Sequence, residues 1–210
     1  MRTTSELNDS LSRERIWRIR ECSSILDLAG RSTSVTVQHG IYLRAGAVLY
    51  YSHWEGFVKR AATYYLKHVA LQRISLAQMC PSILRLFMKQ QLLPTATVEK
   101  WEKLGDRLLN DPTYAPKLSH KAQIDTASNL SSHVFGTICS TIGMSSSNFT
   151  HYYAEIDSLL LKNRNSVAHG EQNPEFYLAD LEKSKELVIA LITLFKDEIE
   201  NLAALRSYRI

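Results

Sequence analysis

The stretch from Leu159 to Glu171, LLLKNRNSVAHGE, predicts the last turns of an amphipathic helix that ends in a cluster of polar side chains. Asn165 and His169 are four positions apart, so on a helix they share a face, and Arg164 lies beside Asn165. Gly170 follows at once, as is common for the left-handed residue just past a helix end. The sequence therefore places a guanidinium, an amide and an imidazole at one helix terminus.

These three groups permit two interpretations. A fixed cation, an amide and a titratable imidazole together suit the binding of a phosphodiester and the transfer of a proton on it. Arg, Asn and His are also common near helix C-termini, because they cap carbonyl groups and suit the helix dipole. The spacing alone does not separate a catalytic group from a helix cap.

The composition indicates a single globular domain. The chain has 210 residues, of which 45% are hydrophobic and 22% charged, and this is enough to bury a sizeable core. With 8 Gly and 5 Pro, a turn-rich all-β fold is not favoured. The net charge of +4 is compatible with a nucleic-acid partner but does not argue for one by itself.

The sequence indicates neither a metal site nor a cofactor site. The cysteines Cys22, Cys80 and Cys139 are far apart and form no CxxC pair, so we expect buried thiols in a reducing cytoplasm. No Gly-rich phosphate loop, HExxH or GxSxG motif occurs. We expect a cytoplasmic location, because the N-terminal residues lack the apolar region of a signal peptide and no run is long enough to span a membrane.

Helical periodicity covers most of the chain, and no stretch predicts a strand. We expect an all-α, up-and-down helical bundle forming one domain over 1–210. Its core is expected at about 41–72 and 126–205, with a helical insertion at about 73–125. The predicted helices span 5–28, 41–72, 75–93 (as one helix or two), 97–109, 128–142, 148–169 and 174–205.

The stretch 41–72 is predicted to be the central helix, because it is apolar around much of its circumference. We expect Trp54 to pack in the core. Glu55 is costly in such a helix unless it has a partner, and Arg164 is one candidate. Ser52 lies three positions before Glu55 on the same face, and Asp157 lies seven positions before Arg164 on one face of the later helix.

Three further expectations concern the ends of the molecule and its middle section. We expect the arginines of the first helix to form a solvated face, the apolar residues of 97–109 to point inward, and the last helix to open at Pro174 with Asn173 as its cap. The arginines are Arg13, Arg15, Arg18 and Arg20, and the apolar residues are Val98, Trp101, Leu104 and Leu108.

Three blocks of the sequence, in order, resemble the HEPN superfamily (higher eukaryotes and prokaryotes nucleotide-binding domain), and especially its stand-alone bacterial toxin and defence proteins. The blocks are Leu49 to Lys59 (LYYSHWEGFVK), Asn129 to Ser132 (NLSS), and Ile156 to Leu160 (IDSLL) leading into Arg164 to Glu171 (RNSVAHGE). They span roughly residues 41 to 200, and the section from about 73 to 125 has no counterpart.

The resemblance implies a metal-independent endoribonuclease. The family's Arg-x4-6-His motif would here be Arg164 to His169, with Asn165 as the polar residue after the Arg. In active relatives two protomers bring their motifs together across a homodimer interface, and the RNA 2′-hydroxyl attacks the neighbouring phosphorus. We expect Arg164, Asn165 and His169 to be catalytic and Glu55, Ser52 and Asp157 to support them.

The implied partners are an RNA substrate, a second copy of the chain, and a cognate antitoxin or a defence partner protein. Some HEPN proteins bind RNA or a partner protein without cutting, so a non-catalytic binding module is the alternative function. A third interpretation is an unrelated helical scaffold in which the Arg–His stretch is only a helix cap.

Overall fold

The structure is a computed structural model, and it describes residues 1–32, 36–92, 97–111, 113–119, 124, 129–171 and 176–210. Within these residues helices dominate, and the one extended pairing is an isolated antiparallel bridge between Met79 and Arg209. The predicted all-α class is therefore confirmed.

The helices follow one another with short connections. In chain order they are α1 (Thr4–Arg31), α2 (Val37–Leu71), α3 (Pro81–Leu92), α4 (Val98–Asn110), α5 (Ser132–Ile142), α6 (Tyr153–Glu155), α7 (Lys162–Ala168) and α8 (Leu178–Ala204). Turns of 3₁₀ helix span Leu76–Gln78 and Ser147–Tyr152, and a π-helical segment spans Ile156–Leu161 between α6 and α7.

Aromatic side chains form the centre of the core around α2. The ring of Trp54 lies 5.1 Å from that of Phe135 and 6.2 Å from that of Phe195, and Phe135 lies 4.8 Å from Phe149. Each such pair adds about 0.5–1.5 kcal/mol beyond the burial of its area. These contacts join α2, α5 and α8 and confirm Trp54 as a core residue.

The helices α1 and α8 flank α2 in opposite directions. The Tyr64 hydroxyl donates to Glu14 at 3.1 Å and the Tyr50 hydroxyl to the Cys22 carbonyl at 2.8 Å, so α1 runs antiparallel to α2. On the other side α8 runs parallel to α2. A Cβ atom at Gly46 would lie 2.5 Å from Leu181 Cδ1, so the glycine permits this close approach.

The prediction of a solvated arginine face is wrong for Arg18. Its side chain is buried, with Nη2 3.0 Å from a Glu14 carboxylate oxygen and the guanidinium 4.2 Å from the centre of the Trp17 ring. Burial lowers the pKa of Arg18, and Glu14 opposes this change. The cation is tolerated inside because it has both a carboxylate and an aromatic face as partners.

The prediction for α4 is wrong at its first turn. Leu104 is buried and Leu108 half-buried, but Val98 is 75% exposed and Trp101 52% exposed. Among the described residues α4 packs chiefly on α3, which in turn packs on α5, so the start of α4 has little cover.

Three predicted helix boundaries also differ from the structure. The last helix begins at Leu178, where the Asp180 carboxylate accepts from the Tyr177 N–H at 2.9 Å, and the predicted cap residues Asn173 and Pro174 lie outside the described residues. The helix predicted over 128–142 begins at Ser132. The single helix predicted over 148–169 is divided into 3₁₀, α, π and α segments.

The predicted insertion holds α3 and α4. Its chain is joined to the rest of the molecule by backbone bonds from Cys80 N–H to the Tyr208 carbonyl at 3.0 Å and from Ile210 N–H to the Gln78 carbonyl at 3.1 Å. No described helix combines the length and the hydropathy needed to cross a membrane.

Candidate active site at the end of helix α7

The helix α7 ends as the sequence predicts, with a left-handed glycine. Gly170 has a φ of +74°, its N–H donates to the Val167 carbonyl at 3.1 Å, and the Glu171 N–H donates to the Ser166 carbonyl at 3.0 Å. This pair of bonds is a Schellman motif. The Ser166 hydroxyl also donates to the Glu171 carboxylate at 2.8 Å. The backbone of His169, which caps the helix, is thereby fixed between bonded neighbours.

The guanidinium of Arg164 is held by two amide oxygens and a ring face. Its Nη1 donates to Asn129 Oδ1 at 2.7 Å and to Asn165 Oδ1 at 2.8 Å. Its Cζ lies 5.1 Å from the centre of the Tyr51 ring. Because two bonds and a stacking contact act on one half-buried group, its plane is oriented before any ligand arrives.

The segment Asn129 to Ser132 is fixed to the site at both ends. The hydroxyl of Tyr51 accepts a short hydrogen bond from the Leu130 N–H. The Asp157 carboxylate accepts from the Ser132 N–H at 2.8 Å and from its hydroxyl at 2.6 Å. Asp157 therefore holds the first turn of α5, and it acts on Arg164 through the segment that carries Asn129.

Glu55 reaches Arg164 indirectly. No ion pair joins Glu55 and Arg164 among the residues that the structure describes. Burial raises the pKa of Tyr51 to about 12, while the Leu130 N–H opposes the rise and the Glu55 carboxylate beside the hydroxyl adds to it. The expected direct pair is thus replaced by a contact through Tyr51.

Ser52 and His169 make fewer contacts than the other candidates. Ser52 is exposed, and its hydroxyl donates to the Val48 carbonyl of its own helix at 2.8 Å. His169 is exposed, and within the described ranges no hydrogen bond to its imidazole is found. The structure therefore brings Arg164, Asn165 and Asp157 into one network but leaves Ser52 outside it and the His169 ring open to solvent.

The sequence argument missed two members of this network, Tyr51 and Asn129. Both stand inside blocks that carry the family resemblance, but their roles depend on contacts between distant parts of the chain. Asn129 is 35 positions from Arg164, and no periodicity connects them. The signal available was the NLSS block, whose polar residues precede a helix.

The chemistry that the site offers is that of a cation and an imidazole. No group of three or more His, Cys, Asp or Glu side chains suited to a metal ion occurs among the described residues. Arg164 supplies a permanent positive charge and His169 a group able to give or take a proton near neutrality. Such a pair suits the stabilisation of charge on a phosphoryl group together with proton transfer.

Comparison with known proteins identifies the family. No curated protein and no solved structure matches the sequence significantly. A family model described as RiboL-PSP-HEPN matches residues 13–201, which is nearly the whole chain, and the protein therefore belongs to this family of HEPN domains.

Proposed function

We propose that this protein is a metal-independent endoribonuclease of the HEPN type. The observation that carries the proposal is the orientation of Arg164, whose Nη1 is fixed by two amide oxygens at the same helix end as the exposed His169. Its Nε and Nη2 have no acceptor among the described residues. That edge of a guanidinium has the fork geometry that binds two oxygens of a phosphate.

The reaction proposed for this site is an internal transesterification. The RNA 2′-oxygen loses its proton to a base and bonds to the adjacent phosphorus, and the bond from phosphorus to the 5′-oxygen breaks. The departing 5′-oxygen takes a proton, so the products are a 2′,3′-cyclic phosphate and a 5′-hydroxyl. Imidazole suits both proton transfers, and Arg164 stabilises the charge that grows on the phosphoryl oxygens.

One chain offers one His169, whereas the reaction uses a base and an acid. We propose a homodimer that brings two Arg164–His169 motifs together, as the family resemblance implies. Because His169 is exposed at a helix end, a second copy can approach it without rearrangement of the core. The cellular role proposed is that of a toxin or phage-defence effector, held in check by an antitoxin or partner protein.

A cleavage assay tests the proposed activity. Wild type, His169→Ala and the control His151→Ala, which removes another exposed imidazole, are incubated with RNA in excess chelator and the new ends are typed. We expect wild type and the control to leave cyclic phosphates, and His169→Ala to be slower by about 10²–10⁴-fold. Cleavage by His169→Ala at the wild-type rate would contradict the assigned role.

The alternative function is a non-catalytic module that binds RNA or a partner protein. The observation that favours it is the His169 ring, which no described residue orients, although catalytic hydrogen bonds often tighten only in a complex. Toxicity on expression separates the two functions. Growth arrest that His169→Ala relieves supports the ribonuclease, and RNA that wild type binds but leaves intact supports the module.

A further inference from the structure

Two amide side chains share one donor, and this fixes how both of them face. The Oδ1 atoms of Asn129 and Asn165 both accept from Arg164 Nη1, at 2.7 and 2.8 Å. A guanidinium has donors only, so each amide must turn its oxygen toward Arg164. The NH₂ group of each amide then projects from the opposite side of its carbonyl carbon. Both NH₂ groups lack an acceptor among the residues that the structure describes.

The result is a set of donors that no described acceptor satisfies. It consists of Nε and Nη2 of Arg164 and the NH₂ groups of Asn129 and Asn165, and it carries one fixed positive charge. All three side chains are half-buried, so water screens them only in part. No carboxylate of the described residues forms an ion pair with Arg164. Such a group of convergent donors is complementary to an oxyanion.

We propose that Asn129 is a substrate-binding residue, whose NH₂ group donates to a non-bridging oxygen of the same phosphodiester that Arg164 and Asn165 bind. Asn129 lies outside the Arg164 to His169 stretch and is delivered by the segment that Tyr51 and Asp157 hold. That the oxyanion belongs to RNA rests on the proposed function; that the site takes an oxyanion rests on the donor geometry.

Two substitutions separate a donor from a mere support of Arg164. Asn129→Asp keeps an oxygen acceptor for Arg164 but replaces the NH₂ group with a second oxygen. Asn129→Ala removes the donor without adding a charge. Asn201→Asp, on an exposed position near the end of α8, is the control for the change in charge. The measurement is the affinity for a 2′-O-methyl oligoribonucleotide, which cannot react, by fluorescence anisotropy.

We expect Asn129→Ala to bind about tenfold to hundredfold more weakly than wild type, as for the loss of a hydrogen bond to a charged group. Asn129→Asp should bind more weakly still, and Asn201→Asp should bind as wild type does. Wild-type affinity in Asn129→Ala would overturn the proposal, even if Asn129→Asp were weak, because the new carboxylate would then act only by neutralising Arg164. Circular dichroism of each variant verifies the helical fold.

Cleavage of unmodified RNA, measured in parallel, distinguishes this inference from the proposed function. Wild type that binds the 2′-O-methyl strand through Asn129 but never cleaves RNA would refute the endoribonuclease and leave the oxyanion site standing. Wild type that cleaves RNA, together with Asn129→Ala that binds and cleaves equally well, would refute the role of Asn129 alone.

Discussion

At the scale of single residues, Tyr51 does two jobs with two parts of one side chain. Its ring faces the Arg164 guanidinium, and its hydroxyl accepts from the Leu130 N–H. The ring orients the cation and the hydroxyl places the segment that carries Asn129. A change that removes only the hydroxyl therefore tests the second job without the first.

We expect Tyr51→Phe to lower the free energy of unfolding by about 1–3 kcal/mol, because it leaves the buried Leu130 N–H without its acceptor. RNA cleavage should fall as well, since Asn129 precedes Leu130. Urea denaturation measures the first effect. The control is Tyr42→Phe, at a half-buried tyrosine whose hydroxyl has no hydrogen bond within the described residues. Equal stability of the two variants would refute the structural role of the Tyr51 hydroxyl.

The sequence was sufficient to place Arg164, Asn165 and His169 at one helix end, because local spacing and the glycine signal determine that arrangement. It was not sufficient to name Tyr51 or Asn129. Their contacts join separate helices, and single-sequence periodicity holds no information on which faces meet. Glu55 shows the same limit: the sequence signalled a carboxylate in need of a partner but could not show that Tyr51 lies between it and Arg164.

At the scale of elements, the start of α5 depends on a carboxylate from another helix. Ser131 caps α5 locally, since its Oγ accepts from the Val134 N–H at 3.3 Å. Asp157, from the π-helical segment, adds a negative charge at the positive end of the helix dipole and two hydrogen bonds to Ser132.

We expect Asp157→Asn to lower the free energy of unfolding by about 1 kcal/mol, because the amide keeps one acceptor but loses the charge at the helix N-terminus. The loss should shrink at high salt, which screens the dipole interaction. Urea denaturation at two salt concentrations measures it. Asp27→Asn, at an exposed carboxylate on α1, is the control and should change stability little. An Asp157→Asn protein as stable as this control would contradict the capping role.

The existence of the helices followed from periodicity, but several boundaries did not. The π-helical segment arises where Ile156 and Leu160 are both buried, so packing from outside the segment decides its geometry. The start of α8 moved from Pro174 to Leu178 for a similar reason: the Asp180 carboxylate supplies the cap that the local signal assigned to Asn173. Tertiary contacts overrode local preference in both places.

At the scale of the whole molecule, the α1–α2 interface contains a buried histidine. His53 is 3% exposed, and its Nε2 lies 3.1 Å from a Glu21 carboxylate oxygen without the alignment of a hydrogen bond. Burial lowers the pKa of His53 below its usual 6.5, Arg18 acts in the same direction, and Glu21 opposes them. The unfolded chain therefore binds a proton more readily than the folded protein does.

We expect the free energy of unfolding to fall as the pH drops below about 6.5, because protonation of His53 favours the unfolded chain. One such group contributes at most about 1.4 kcal/mol per pH unit. His68, whose pKa burial also lowers, acts with the same sign. His53→Gln should show a shallower slope in urea denaturation between pH 7 and 5 than the control His151→Gln. Equal slopes would contradict the role of His53.

The assembly of these helices was the part least accessible from sequence. The core was expected at 41–72 and 126–205, yet Leu7, Leu11 and Cys22 of α1 are fully buried in the same core. Arg18 illustrates why: a charged run suggests a solvated face, but a guanidinium with a carboxylate and a tryptophan ring beside it can be enclosed. Such pairing depends on which helices meet.

The π-helical segment Ile156–Leu161 also constrains how the chain can change in length. A π turn holds one more residue than an α turn, so the segment behaves as a helix with an inserted residue. Deleting one residue there would let the helix close into regular geometry and rotate Arg164 by about 100° relative to Asp157. Among relatives we therefore expect the wide turn and the seven-residue spacing to be inherited together or lost together.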